Sequence, residues 1–304
     1  MALREPAALG WRDPGVPGIA AVEDWLAARE ARVPALRPDA AKAILWAGEP
    51  AQRTPLALVY VHGFSAAAPE LRPVPDRVAA GLGANLHFTR LTGHGSDGAA
   101  MATASVADWA ADLAEAIAVG RTIGNRVILM GSSMGGALAA LAAFDPAYGE
   151  PVAGLVLVAP AFRLPGAGGR AITLPWVRSW GPRAFGATRA VPPRSPAHAR
   201  AWTLTYPTVA VLPLGALVGA IGRLDPARAR IPALMLYSGA DRVVDPAAIR
   251  RFARGWGASC DLRSLTMGPG DDPAAHVIAG DILSPGQTDA VTGLILDWAA
   301  RLQP

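Results

Sequence analysis

Apolar residues gather in seven short runs along the chain, at 43–46, 56–61, 85–88, 127–130, 155–158, 233–237 and 262–267. From the second run onward, most are followed by a turn and then by a stretch with helical spacing of apolar positions. Short apolar runs suit strands buried on both faces, and intervening helices supply the covering layers. The pattern therefore predicts an α/β chain with a mostly parallel central sheet flanked by helices.

Helical spacing is clear at 19–32, where Ile19, Val22 and Leu26 share a face, and at 291–302, where Val291, Leu294, Ile295, Trp298 and Leu302 do the same. Ser105 and Asp108 have the spacing of a capping box, which predicts a helix whose apolar face carries Val106, Trp109, Leu113 and Ile117.

One junction breaks the rhythm. Residues 127–143 read VILMGSSMGGALAALAA. A central strand would run to Met130 and a small-residue helix from Met134 to Phe144, with a sharp bend between them. Glycine permits such close backbone approach. Gly131, Ser133 and Gly135 fit G-x-S-x-G, the strand-to-helix turn that exposes a nucleophilic serine. In that register Ser133 is the exposed hydroxyl, and Ser132 is a supporting loop hydroxyl.

A serine hydroxyl needs a base to take its proton and a third group to orient that base. Of the five histidines, His276 follows the last predicted strand across the loop GPGDDPAAH, from which it could reach over the sheet's carboxyl edge. His87 lies within a strand pattern and reads as a packed residue of core or surface. His198 sits in a Pro/Arg-rich stretch and is expected to point to solvent. Asp241 lies just past the end of the 233–237 strand, where groups in open α/β sheets converge. Asp245, Asp271 and Asp272 compete with it, the plainer reading of such aspartates being turns and helix caps.

Composition narrows the class. The chain has 304 residues, 52% of them hydrophobic, enough for one large α/β domain or a core with an insertion. A formal charge of +4 without a dense Lys/Arg block argues against nucleic-acid binding. Its single cysteine, Cys260, excludes an intrachain disulfide framework and a Cys-rich metal site. The start, MALREPAALGWRDPGVPG, lacks the apolar core of a signal peptide, so a soluble cytoplasmic protein is expected.

Together, HGFS at 62–65, LTGHG at 91–95, SVADW at 105–109, GSSMGG at 131–136, SGADRVVD at 238–245 and the histidine before VIAGD at 277–281 resemble the α/β-hydrolase superfamily. The similarity is to its carboxylesterase and monoacylglycerol-lipase-like serine hydrolases. That resemblance implies the α/β-hydrolase fold and a Ser133–Asp241–His276 triad. It also implies an oxyanion hole from the backbone N–H groups of Phe64 and Met134, with the Phe64 side chain as an acyl-pocket wall and His62 and His94 shaping loops through hydrogen bonds. It calls for no metal or organic cofactor. Serine at the bend argues against dehalogenases and epoxide hydrolases, which place aspartate there.

The layout then reads as an N-terminal helical extension at 1–40, a core at 41–160 and 227–304, and at 161–226 the cap that this family inserts after its sixth strand. From Pro151 to Leu224 there is no acidic residue, while Arg163, Arg170, Arg178, Arg183, Arg189, Arg194, Arg200 and Arg223 contribute eight positive charges. The rest of the chain is accordingly at −4. Residues 201–222, AWTLTYPTVAVLPLGALVGAIG, carry no charge. Prolines and glycines interrupt them, so cap helices over the active site are expected rather than a membrane span. Tyr206, Leu212, Leu214 and Val218 would line the pocket with Phe64. A lipophilic ester substrate follows, with possible peripheral contact of the basic cap with anionic lipid. Other acyl, peptide or carbon–carbon hydrolysis, cofactor-free haloperoxidase chemistry and a non-catalytic lipid-binding module are the alternatives. An aminopeptidase would need a carboxylate at the pocket mouth, which the acid-free cap lacks.

Overall fold

The structure is a computed structural model that describes residues 4–302; residues 1–3 of the N-terminal extension lie outside them. Among the described residues nine strands form: β1 (Ala43–Leu45), β2 (Thr54–Val61), β3 (Asn85–Phe88), β4 (Gly124–Ser132), β5 (Val152–Val158), β6 (Thr188–Ala190), β7 (Thr205–Pro207), β8 (Ala233–Ser238) and β9 (Cys260–Leu265). Seven of them make one sheet in the order β1-β3-β2-β4-β5-β8-β9, parallel throughout except for β1 against β3. Each predicted apolar run lies on one of these seven strands; the last is displaced by two residues towards the carboxyl end.

Alternation along the strands divides the core between two faces. Val59, Val61, Val127, Leu129, Leu155 and Leu157 point to one side, into a cluster with Trp109, Leu113, Leu138, Ile249 and Phe252. Their neighbours Leu58, Tyr60, Ile128, Met130, Val156 and Val158 face the other side, packing with Val78, Val291, Ile295 and Trp298. The apolar runs of the central strands thus have a simple cause: both faces are covered.

The helix Val106–Ile123 begins with the predicted capping box. Ser105 Oγ accepts from the Asp108 N–H, and Asp108 Oδ2 accepts from the Ser105 N–H at 2.9 Å. Val106, Trp109, Leu113 and Ile117 are all fully buried.

In the N-terminal part, the helix Val22–Glu30 places Val22 and Leu26 against Ala57, Val119 and Ile123. Its last residue, Glu30, is buried and receives a two-pronged guanidinium from Arg90, both bonds at 2.7 Å, together with the Lys42 N–H at 2.9 Å. Burial pushes this carboxyl up, but the hydrogen bonds and charges of Arg90 and Lys42 hold it below 4.5. Its stabilising effect is therefore present above the unfolded value and lost as pH falls through the folded one. Glu30→Ala would leave Arg90 buried and unpaired, a loss of about 3–5 kcal/mol. Urea unfolding at pH 7 checks this, and the gap between variant and wild type should narrow under acid conditions.

Between β5 and β8 the chain leaves the sheet for an insertion. It contains the helices Gly166–Ala171, Val177–Phe185, Pro196–Ala201 and Val211–Ile221 and an antiparallel ribbon of β6 with β7. The insertion follows the fifth strand of the chain. The uncharged run is split among the end of one helix, β7, a 3-10 turn and the eleven-residue helix Val211–Ile221. No helix among the described residues is long and apolar enough to cross a membrane. His198 corrects the solvent expectation: it is buried, with its ring edge-on to Trp202 at 4.9 Å and Nδ1 accepting from the Arg194 N–H. The helix Pro196–Ala201 turns that residue inward, which the polar composition of its surroundings did not reveal.

Candidate active site

Strand β4 ends in a bend that only small residues permit. A Cβ on Gly131 would lie 2.3 Å from the Gly135 carbonyl oxygen, and one on Gly135 would lie 2.2 Å from that of Val61. Ser133 sits at φ 51°, ψ −113°, a conformation of sparse population for a residue with a side chain. Its backbone is held there by neighbours on β5 and beyond: the Ser133 N–H donates to the Val158 carbonyl at 2.8 Å, and the Ala161 N–H donates to the Ser133 carbonyl at 3.0 Å.

The same bend aims the side chain at His276. Ser133 Oγ lies 2.9 Å from His276 Nε2, and His276 Nδ1 lies 2.8 Å from Asp241 Oδ2. Asp241 Oδ1 in turn accepts the N–H groups of Val243 at 2.7 Å and Val244 at 2.9 Å, so the turn after β8 fixes the carboxylate's orientation. With Asp241 accepting at Nδ1, that nitrogen carries the proton and Nε2 is the free base facing the serine. Burial lowers the imidazole, but the Asp241 hydrogen bond and charge, with the charges of Glu70 and Asp272, outweigh it and raise His276 above 6.5.

The three competing aspartates have other partners. Asp245 caps the helix Pro246–Gly255 through the Ala247 N–H and lies 3.5 Å from Arg163. Asp271 accepts from the Gly268 and Gly286 N–H groups and from Gln287 Nε2. Asp272 accepts the backbone N–H groups of His276 and Val277, both at 3.1 Å, and lies 3.3 Å from Arg194 of the insertion. It thus positions the loop that carries the histidine.

Met134 opens the helix Met134–Ala140, so its N–H has no acceptor within that helix. Phe64 is on the loop after β2 next to Gly63, where an added Cβ would stand 3.3 Å from Ser133 Cβ. His62 donates from Nδ1 to the Gly63 carbonyl at 2.8 Å and accepts the Leu91 N–H at Nε2, at 3.1 Å. Burial and the neighbouring His94 hold His62 well below 6.5, and burial lowers His94 to about 4. Both are neutral loop-shaping residues. His87 is likewise buried on β3, with Nδ1 3.1 Å from the Ala43 carbonyl.

One participant has no counterpart in the sequence reading. Glu70, 3% exposed, takes the Gly63 N–H at 2.7 Å and the Tyr60 hydroxyl at 2.8 Å on the same oxygen, and the Ser132 hydroxyl joins the group. Burial raises this carboxyl despite these bonds. The available signal was a lone acid in the apolar stretch 66–71 directly behind HGFS. Because the charge of Glu70 helps to raise His276, Glu70→Gln should move the acidic limb of any His276-dependent activity to lower pH, as read from a kcat/KM–pH profile.

Ser133 is 9% exposed. An apolar cavity of about 370 Å³ lies between core and insertion and reaches the site through Phe64 and through Val243, whose N–H donates to Asp241. Phe64, Ile172, Tyr206, Val211 and Leu214 line it, and Arg189 is the one charged residue among its described walls. Phe64 meets Tyr206 edge-on at 5.5 Å, joining the loop after β2 to the insertion. The structure thus brings Phe64, Tyr206 and Leu214 to one cavity. Leu212 instead packs with Met101 of the core and with Val177 and Tyr206 of the insertion, and Val218 lines a second cavity that shares Leu164 and Gly169 with the first. Helical geometry separates them, since Leu214 and Val218 project from successive turns while Leu212 lies on another face. Among the described residues, no three His, Cys, Asp or Glu side chains converge as metal ligands.

Comparison with solved structures returns the same fold. The first is described as one of two metagenome-derived lipolytic enzymes, LipS and LipT; it is 22% identical, with a TM-score of 0.71 over 88% of this chain and 99% of that one. The monoacylglycerol lipase of Paleococcus ferrophilus is 16% identical, with a TM-score of 0.59 over 86% of this chain and 98% of its own. A monoglyceride lipase of Saccharomyces cerevisiae, solved with a substrate analogue, is 13% identical, with a TM-score of 0.64 over 87% and 91%. No curated protein matches in sequence. The model of the Alpha/beta hydrolase family matches residues 58–280, which include the bend at Ser133, Asp241 and His276 as well as the whole insertion. By that match, over about three quarters of its length, the chain belongs to the alpha/beta hydrolase family.

Proposed function

We propose that this protein is a serine hydrolase of carboxylic esters with lipophilic acyl groups, monoacylglycerol-like or of medium to long chain. The observation that carries the reading is the Ser133–His276–Asp241 hydrogen-bonded series with an apolar cavity bordered by Phe64 and Val243 beside it. Three structural neighbours named as lipolytic enzymes or monoacylglycerol lipases lend support.

In this mechanism His276 Nε2 takes the Ser133 proton as Oγ attacks the ester carbonyl carbon. Asp241 stabilises the imidazolium through Nδ1. The carbonyl oxygen becomes an oxyanion, received by the backbone N–H groups of Met134 and Phe64, each worth roughly 3 kcal/mol. His276 then protonates the departing alkoxide, leaving an acyl group on Ser133. Water, deprotonated by the same nitrogen, attacks this acyl-enzyme, and the acid departs as Oγ recovers its proton. Residues 161–226 act as a cap whose apolar underside receives the acyl chain. An amino-terminal peptide substrate is disfavoured, because Arg189 rather than a carboxylate is the charge on the cavity wall.

Hydrolysis of p-nitrophenyl esters from acetate to palmitate, with monoacylglycerols and aminoacyl substrates in parallel, tests the assignment. Each methylene that enters the cavity should contribute about 0.8 kcal/mol, roughly fourfold in kcat/KM, until the cavity is full. A preference for acetate would refute the lipophilic acyl group. Hydrolysis of aminoacyl substrates alone would refute the ester assignment.

A further inference from the structure

Behind the wall formed by residues 164–169 lies the second cavity, of about 230 Å³. Its floor is apolar: Val218, and Phe162 stacked on Phe252 at 4.2 Å. Its rim carries four arginines drawn from four parts of the fold. Arg163 follows β5, Arg170 is in the last turn of the helix Gly166–Ala171, Arg223 follows the helix Val211–Ile221, and Arg251 comes from the core helix Pro246–Gly255. Arg223 folds back along its own helix, with Nη1 only 3.5 Å from where a Cβ on Gly219 would stand.

Among the described residues, one carboxylate is paired with this rim, and one helix end faces it. Asp245 lies 3.5 Å from Arg163, and the carbonyl end of the helix Val211–Ile221 approaches the rim. Arg170, Arg223 and Arg251 have no carboxylate partner among the described residues. Guanidinium groups are planar forks that match phosphate and carboxylate oxygens in pairs. Three such groups around a recess large enough for several waters, at about 30 Å³ each, make a receptor for an oxyanion. The cavity also shares Leu164 and Gly169 with the acyl cavity, so an anion held here sits beside the place proposed for the acyl chain.

We propose that this cavity is a binding site for a phosphate-class anion, contacted by Arg170, Arg223 and Arg251 and bordered by Arg163. Two sources present that chemistry, a free phosphate group of a soluble ligand and the headgroup of an anionic phospholipid. The site requires no ester cleavage, so its test is separable from the hydrolase assignment.

The experiment uses the full chain carrying Ser133→Ala, at constant ionic strength. One arm titrates inorganic phosphate by calorimetry. The other measures co-sedimentation with vesicles of phosphatidylglycerol and phosphatidylcholine, against phosphatidylcholine alone. Three proteins are compared: the parent, the double variant Arg170→Gln/Arg223→Gln, and Arg32→Gln/Arg126→Gln as a control of equal charge loss, Arg126 lying near the amino-terminal end of β4. Saturable phosphate binding that weakens at least tenfold in the cavity variant and not in the control supports the site and identifies a soluble anion. Vesicle binding with the same selective loss, without phosphate binding, supports the site and identifies a lipid headgroup. Absence of both, or equal weakening in cavity and control variants, overturns the proposal. Circular dichroism melting of all three confirms that they are folded, since these arginines are exposed and their replacement leaves the core intact.

Discussion

Replacing Ser133 by alanine is expected to lower kcat/KM on the preferred p-nitrophenyl ester by on the order of 10⁶-fold. Ser133 Oγ, 2.9 Å from His276 Nε2, is the oxygen that would carry the acyl group, so without it no acyl-enzyme forms. A residual rate above that of water should persist, because the N–H groups of Met134 and Phe64 would still stabilise an oxyanion formed by direct water attack. Stability should change little or rise slightly, since the substitution keeps Cβ and removes only a hydroxyl. Steady-state kinetics with denaturant melts as control decide the matter. Equal activity of wild type and variant on every ester would overturn the catalytic reading.

Asp241→Asn comes second in size, at about 10⁴-fold in kcat. The amide is nearly isosteric, and its oxygen can still accept from Val243 and Val244. Its nitrogen, however, donates towards His276 Nδ1 and favours the tautomer whose proton lies on Nε2, facing the serine. The free base is then on the wrong side. The pH dependence supplies a second readout. In the wild type the base must be neutral, and Asp241, Glu70 and Asp272 raise its value, so kcat/KM should climb with pH through a midpoint above 6.5. Removing the Asp241 charge should move that midpoint down, because burial then weighs more heavily. A variant with wild-type rate and midpoint would assign the orienting role to another carboxylate, Asp272 being the nearest alternative on the histidine loop.

The core was legible because its signals are local and repeated. A strand covered on both faces must be apolar at nearly every position, and that property can be read without knowing its neighbours. The capping box is equally local, with both partners three residues apart. Within the site, the bend at Ser133 announced itself because steric crowding admits only glycine at 131 and 135. His276 and Asp241 were readable from strand ends. The choice among four aspartates was open on spacing alone, and in the structure hydrogen bonding distinguishes them: Asp245, Asp271 and Asp272 are engaged with backbone, caps and arginines, and Asp241 faces the imidazole.

What stayed hidden depends on long-range placement. Glu70 looks like an ordinary surface acid until its loop turns beneath β2 and sets it against Tyr60, Gly63 and Ser132. His198 looked exposed because its neighbours are arginines and prolines, yet one short helix rotates it onto Trp202. The uncharged stretch 201–222 read as a single apolar unit, and the fold divides it so that Leu214 and Val218 serve different cavities.

By itself, then, the amino-acid order determined the layered α/β architecture, the serine bend and the order of serine, acid and base, since each follows from periodicity, glycine sterics or position at a strand end. Tertiary structure alone decided which carboxylate meets the histidine, which buried acid backs the loop after β2, and how eight scattered arginines of one sign are distributed. Those outcomes depend on distances between groups up to 173 residues apart in the chain, as for Arg178 and Glu5, and such distances are set by packing the layers together rather than by any local pattern.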